Sequence, residues 1–218
     1  TLLCTNDDVI IIDPQNEFKE HCINCEGAFL DFTPKGKLNI NPLQIPENMW
    51  NETKEARELF IANQSEYLKS FCTAIMKNIT VTQEHYSYID KCCRRMYETV
   101  FCGKRKKQVT LKDFRQELSV EMQEIEPEEK ELIRKIYNSL LEFTEGSYDM
   151  FSKPSNVSIN KRYTVFGLKN VSEMLWEAVM ITIMHFLSTR MEYNQELQKA
   201  TNLIVDETQE LCRNNLSA

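Results

Sequence analysis

Two textures of hydrophobic pattern alternate along the chain. Val9-Ile10-Ile11-Ile12 is an unbroken β-branched run. Such a run predicts a strand buried on both faces, as in a parallel sheet. It stops at Asp13-Pro14. Asp is a good N-cap and Pro suits a first helical position, so a helix is expected from there to about Cys25. Gly27 breaks the pattern, and Ala28-Phe29-Leu30-Asp31-Phe32 predicts a second strand. Pro34-Lys35-Gly36 predicts a turn and Leu38 to Ile40 a short strand, before irregular chain at Asn41-Pro42 and Ile45-Pro46.

From about Asn51 to Gly146 strand signals vanish and Pro127 is the lone proline. Leu59/Phe60, Tyr67/Leu68, Phe71/Cys72 and Ile75/Met76 recur at helical spacing, as do Tyr86, Ile89, Cys93, Met96/Tyr97 and Val100. Thr110-Leu-Lys-Asp113 opens a further helix with a capping-box-like pattern. Pro127 starts another, with Leu132/Ile133, Ile136/Tyr137 and Leu140/Leu141 on one face and Gly146 suited to its C-terminal cap.

The first texture then returns. Tyr163-Thr-Val-Phe166 predicts a strand. Ser172 to Tyr193 predicts a long helix, apolar nearly all round at its centre and hence well buried. Leu203-Ile204-Val205 is a strand ending in Asp206-Glu207. Strand, helix and strand in that order make a βαβ unit. The pattern predicts an α/β core, a partial parallel sheet, split by a large all-helical insertion. The expected parts are 1–50 for the first piece of the core, 51–155 for the helical insertion and 156–218 for the rest of the core.

Composition narrows the chemistry. The chain has 218 residues, 42% hydrophobic and 27% charged, enough for a core without disulfide staples. Lys plus Arg is 26 and Asp plus Glu 33, a net charge of −7 that argues against a nucleic-acid coat over the whole surface. The run Lys104-Arg105-Lys106-Lys107 reads as a solvated loop, since no aromatics interleave with it as a single-strand groove would want. There are only 5 glycines, where ordinary usage gives roughly 15. Gly27 and Gly36, the closest pair, are nine apart, so neither G-x-G-x-x-G nor G-x-x-x-x-G-K-[ST] occurs. The three histidines, His21, His85 and His185, are too far apart for an HExxH helix. Cys22-x-x-Cys25 has metal-like spacing, but no second pair answers it, and the eight cysteines read as reduced thiols of a cytoplasmic protein. No signal peptide is expected, and the longest apolar run, Ala178 to Thr189, falls short of the roughly 20 residues a membrane span needs. Thr1 and the abrupt end at Ala218 suggest an excised piece of a longer chain.

Two segments could carry chemistry. Leu203-Ile204-Val205-Asp206-Glu207 is a strand ending in two carboxylates. In an open parallel sheet ligands sit beyond the carboxyl ends of the strands. An Asp there could hold the Mg²⁺ of a nucleotide, and an adjacent Glu could polarise a water, as in a Walker B strand. A plain solvated acidic turn fits the same residues. Asp13-Pro14-x-x-Glu17-Phe18 also follows a buried strand, and a helix cap with a dipole-complementing Glu17 explains it as well.

The order of segments resembles one family. A strand ending Ile12-Asp13-Pro14-x-x-Glu17-Phe18 is followed by Gly27-x-Phe29 and Ile40-Asn41-Pro42-Leu43-x-Ile45. After these come Thr110-Leu-x-Asp113-Phe, Phe143-Thr-Glu-Gly146-Ser-x-x-x-Phe151, Val165-Phe166-x-Leu168 and Ile204-Val205-Asp206-Glu207. Over essentially its whole length the chain resembles the ATPase domain of the type IV secretion and conjugative-transfer ATPases, the VirB-four / TraE / CagE family. The resemblance implies a RecA-like bacterial motor that uses ATP and Mg to power conjugation or secretion. It implies Asp206 as the magnesium-site residue of Walker B, Glu207 as the catalytic glutamate, and Asp13 and Glu17 as an acidic nucleotide-binding motif. It further implies other type IV secretion components as partners, a homo-oligomer, DNA or protein as cargo, and peripheral association at the cytoplasmic face of the inner membrane. Gly167 departs from the family, which often has an acidic residue there. The family's phosphate loop is absent, so the chain is expected to be inactive alone. Two other readings stay open: a helical protein-interaction module on an α/β scaffold, and a DNA-pumping ATPase of the HerA/FtsK type.

Overall fold

The computed structural model describes residues 2–103, 107–157 and 161–206. Along the chain the elements are β1 (Asp8–Asp13), α1 (Lys19–Asn24), β2 (Ala28–Asp31), α2 (Lys54–Ile75), α3 (Gln83–Cys102), α4 (Leu111–Glu124), α5 (Pro127–Ser139), α6 (Leu141–Thr144), β3 (Tyr163–Gly167), α7 (Glu173–Glu196) and β4 (Thr201–Val205). The class is α/β with a helical insertion, as the pattern predicts. Contacts divide the chain into two compact units, 1–38 with 155–218, and Asn39–Pro154.

The first unit is a four-stranded parallel sheet in the order β2-β3-β1-β4. The β-branched run takes a central position because every residue of β1 is buried. Strand alternation sends Val9 and Ile11 to one face, where they meet Cys22 of α1, Tyr163 and Val165, with Phe18, Phe29 and Ile204 packed around them. Asp8 belongs to the opposite face and is held there by α7 and the turn that follows it. Its carboxylate accepts from Arg190, from Asn194 Nδ2 at 2.7 Å and from Lys199 Nζ at 2.5 Å. Burial works against a charge at Asp8, but hydrogen bonds from Arg190, Asn194 and Lys199, with the Arg190 charge, prevail and hold its pKa below the ordinary value.

Several expectations are revised. β3, α7 and β4 follow one another as predicted, but β1 lies between the two strands, so this crossover skips a neighbour. α7 is not buried all round. Leu175, Ala178, Val179, Thr182, Ile183 and Leu187 form its covered stripe, whereas Met174 is 70% and Met184 49% exposed. One helix lays one stripe on a sheet, whatever the composition of the other side. Asp13-Pro14 does not start a helix. Residues 14–18 form a turn with Asn16 at a φ of 61°, and α1 begins only at Lys19. Leu38 to Ile40 forms no strand.

In the helical unit, side-chain caps mark helix starts, the one at Thr110 as the sequence predicts and the one at Thr53 without a prior signal. Thr53 Oγ1 accepts from Ala56 N–H at 3.2 Å, and Thr110 and Asp113 form a capping box. The helix from Pro127 breaks at Leu140, so Gly146 terminates α6 rather than α5. Its N–H donates to Leu141 O at 3.2 Å, and a Cβ there would lie 2.7 Å from Glu142 O. Phe71, Phe143 and Phe151 pack ring to ring, 5.2–6.2 Å between centroids. Between α3 and α4, Glu121 is fully buried and held by Lys91 at 2.7 Å and Arg95 at 2.9 Å.

The Asn-Pro-Leu segment belongs to this unit by its hydrogen bonds, so the unit begins well before the helical pattern does. Ile40 N–H donates to Met150 O at 3.0 Å. Buried Asn41 donates to Val109 O at 2.7 Å and accepts from Leu43 N–H at 3.1 Å. Tyr97 donates to Leu43 O at 2.9 Å, and Gln108 exchanges two bonds with the backbone of Ile45. These residues strap the irregular chain to α3 and to the segment before α4.

Candidate functional site

All four strands run the same way, so their carboxyl ends gather at one edge of the sheet. Asp13 and Asp31 both lie opposite Gly167. Ile12 lies opposite Val205, and Asp206 N–H donates to Ile12 O at 3.1 Å, so the next pair in register is Asp13 with Asp206. The last row therefore reads Asp31, Gly167, Asp13, Asp206. Residues paired across neighbouring strands point to the same face, here the face that carries α1. Asp13 and Asp206 are thus adjacent at the sheet edge where ligands of α/β proteins gather. Glu207 lies outside the described residues.

The environment of Asp13 is local. It is fully buried, its Oδ1 accepts from Glu17 N–H at 3.1 Å and its Oδ2 from Phe18 N–H at 2.8 Å. Both carboxylate oxygens thus hold the turn that follows β1. That turn carries Glu17 on its exposed side. Asp13 shapes the loop, and Glu17 is the acid the loop offers to solvent.

Further residues at this edge have no distinctive motif of their own. Asp31 Oδ1 accepts from Thr33 Oγ1 at 2.8 Å, and Thr33 accepts from Asn170 Nδ2 at 3.0 Å. Asn16 turns its Oδ1 toward Gly167. A Cβ on Gly167 would sit 2.6 Å from that oxygen and 2.5 Å from Phe29 Cζ. A signal for Asp31 was present: an Asp ends β1 and β2 and directly follows β4, and only the shared sheet edge makes that repetition meaningful.

Cys22 and Cys25 part company. Cys22 is buried under the sheet, and burial, reinforced by Cys25, pushes its thiol pKa up. Cys25 is exposed, 3.9 Å from His21 Nε2, and His21 Nδ1 lies 2.9 Å from the Tyr163 hydroxyl. Burial pushes Tyr163 up to about 12. Among the described residues, no group of three or more His, Cys, Asp or Glu side chains is placed to hold a metal ion. Magnesium does not require one, since it often takes one or two carboxylates and completes its shell with phosphate and water. Asp206 has the hard oxygen donors for that role. Of the basic run, residues 104–106 lie outside the described residues, and Lys107 pairs with Asp113 at 2.6 Å. Among the described residues, no helix is long and apolar enough to cross a membrane.

No protein-family model and no curated protein matches the sequence. Among solved structures the chain is similar to VirB4 of Thermoanaerobacter pseudethanolicus, at 20% sequence identity and a TM-score of 0.69, over 92% of this chain and 74% of that one. The chain therefore shares its fold with that VirB4 over most of its length.

Proposed function

We propose that the chain is the acidic half of the nucleotide site of a type IV secretion or conjugation motor ATPase. The observation that supports this most directly is the pairing of Asp13 with Asp206 at the carboxyl edge of a parallel sheet, in a fold similar to VirB4. In this reading Asp206 ligates the Mg²⁺ of bound ATP and Glu207 polarises the attacking water. Asp13 fixes the turn after β1, and Glu17 faces the nucleotide from it. The ion would neutralise charge developing on the transferred phosphoryl group. The phosphate loop, for which these residues have no glycines in the required spacing, comes from a segment outside the 218 residues. Type IV secretion components are then the partners, a homo-oligomer at the cytoplasmic face of the inner membrane the assembly, and DNA or protein the cargo.

Two measurements test this. The 218-residue chain should neither bind ATP nor turn it over above a Glu207→Gln control, and turnover above that control would overturn the division of the site. A longer chain that adds a G-x-x-x-x-G-K-[ST] segment upstream should hydrolyse ATP, and Glu207→Gln should lower its kcat by 10²-fold or more, roughly the scale of removing a general base. An unchanged kcat would remove Glu207 from the reaction.

A further inference from the structure

The start of α3 is capped in an unusual way. In a common capping box the third helical residue is Glu or Gln, whose side chain reaches back to the N-cap N–H. Here that residue is His85. Its Nδ1 accepts from Thr82 N–H at 3.1 Å, and Thr82 Oγ1 lies 2.8 Å from the same nitrogen. A backbone N–H can only donate, so Nδ1 must be unprotonated and the ring proton sits on Nε2. The imidazole is 1% exposed, and Nε2 has no hydrogen-bond partner among the described residues. The cap is therefore made by a neutral ring in one tautomer.

A second proton has one place to go. Protonation at Nδ1 turns the acceptor into a donor aimed at the Thr82 N–H, which can only donate, while the Thr82 hydroxyl can turn to accept. Glu or Gln in the same position would not change in this way near neutral pH. The surroundings oppose the charged ring: burial first, then Lys135 on α5, with Glu84 on α3 itself acting the other way. Charges on the other elements packed against α3 are engaged elsewhere. On α2, Lys69 and Glu66 pair with each other, and Lys69 with Asp90. On α4, Glu117, Glu121 and Glu124 surround Arg95.

We propose that the Thr82–His85 capping box is a proton-operated latch at the N-terminus of α3. One proton taken up at Nδ1 removes the acceptor of the Thr82 N–H, and the first turn of the helix loosens. The device lies in the helical unit and does not depend on the nucleotide-site reading.

Hydrogen exchange of the 218-residue chain, followed at about pH 7.5 and about pH 5.5 and corrected for intrinsic rates, tests the latch. The amides of the first turn of α3 should lose about tenfold protection at the lower pH, the scale of a lost N-cap. In His85→Gln, which keeps a side-chain acceptor, protection should be equal at both values. Equal loss in the two proteins, or no loss in the wild type, overturns the proposal. ¹⁵N spectra of the wild-type ring give an independent reading that needs no variant. They should show the Nε2–H tautomer at the higher pH, and an Nδ1–H ring overturns the proposal.

Discussion

Gly167 sits between Asp31 and Asp13 in the last row of the sheet, where Asn16 and the Phe29 ring fill the space a side chain would take. Gly167→Ala should cost about 1–3 kcal/mol, the range for overpacking. Urea unfolding measures it, and combining the change with Phe29→Leu should recover part of the loss. Asp8 is governed by charge rather than space. Its carboxyl is held below the ordinary value of about 3.9. A lowered carboxyl contributes stability above that ordinary value and loses it as pH falls through the lowered one. Stability from Asp8 is thus complete near neutrality and disappears in acid below about pH 4. Asp8→Asn should cost about 2–3 kcal/mol near pH 7, because Arg190 and Lys199 lose their common partner. The difference from wild type should shrink in acid. A constant difference between neutral and acid pH would show that Asp8 acts through shape alone.

At the scale of elements, α7 and β1 answer their apolar sequences differently. β1 is covered on both faces by α1, by α7 and by strands on either side. α7 is covered along one stripe, leaving Met174, Met184 and Met191 outside. Neighbouring residues should therefore respond in opposite ways. Ile183→Ala should cost about 3 kcal/mol, a large-to-small change at a fully buried site. Met184→Gln should cost less than about 0.5 kcal/mol. Thermal denaturation of the two variants reads both, and equal losses would mean that the Met side of α7 is covered after all. The turn before α1 gives the same lesson. Asp13-Pro14 has the letters of a helix start, yet the Asp13 carboxylate closes a wider turn by reaching Glu17 and Phe18. A side chain that can cap a helix can also brace a loop, and which it does depends on what the loop packs against.

For the whole molecule, the unit Asn39–Pro154 has its own core and its own strap, the Asn41-Pro42-Leu43 segment. A chain of residues 39–154 should fold alone with one cooperative transition in thermal circular dichroism. A chain of 51–154, which lacks the strap, should melt lower or without cooperativity. Equal melting of the two would deny the strap its role. Much of this organisation was legible beforehand. The β-branched run, the change of texture and the start signals at Thr110 and Pro127 each rest on local physics. The strap was not legible as part of the helical unit, because Asn41 finds Val109 and Leu43 finds Tyr97 across distant stretches of chain.

The sequence by itself determined the class, the helices of the insertion and the acids that end the strands, since periodicity, caps and strand propensity act over a few residues. It also determined that these residues contain no phosphate-binding glycine loop. Tertiary structure alone decided that β1 lies between β3 and β4, that Asp13 and Asp206 share a row, and that Asp31 and Gly167 complete it. Strand order and register come from pairing and packing between segments up to two hundred residues apart, and no local pattern encodes them.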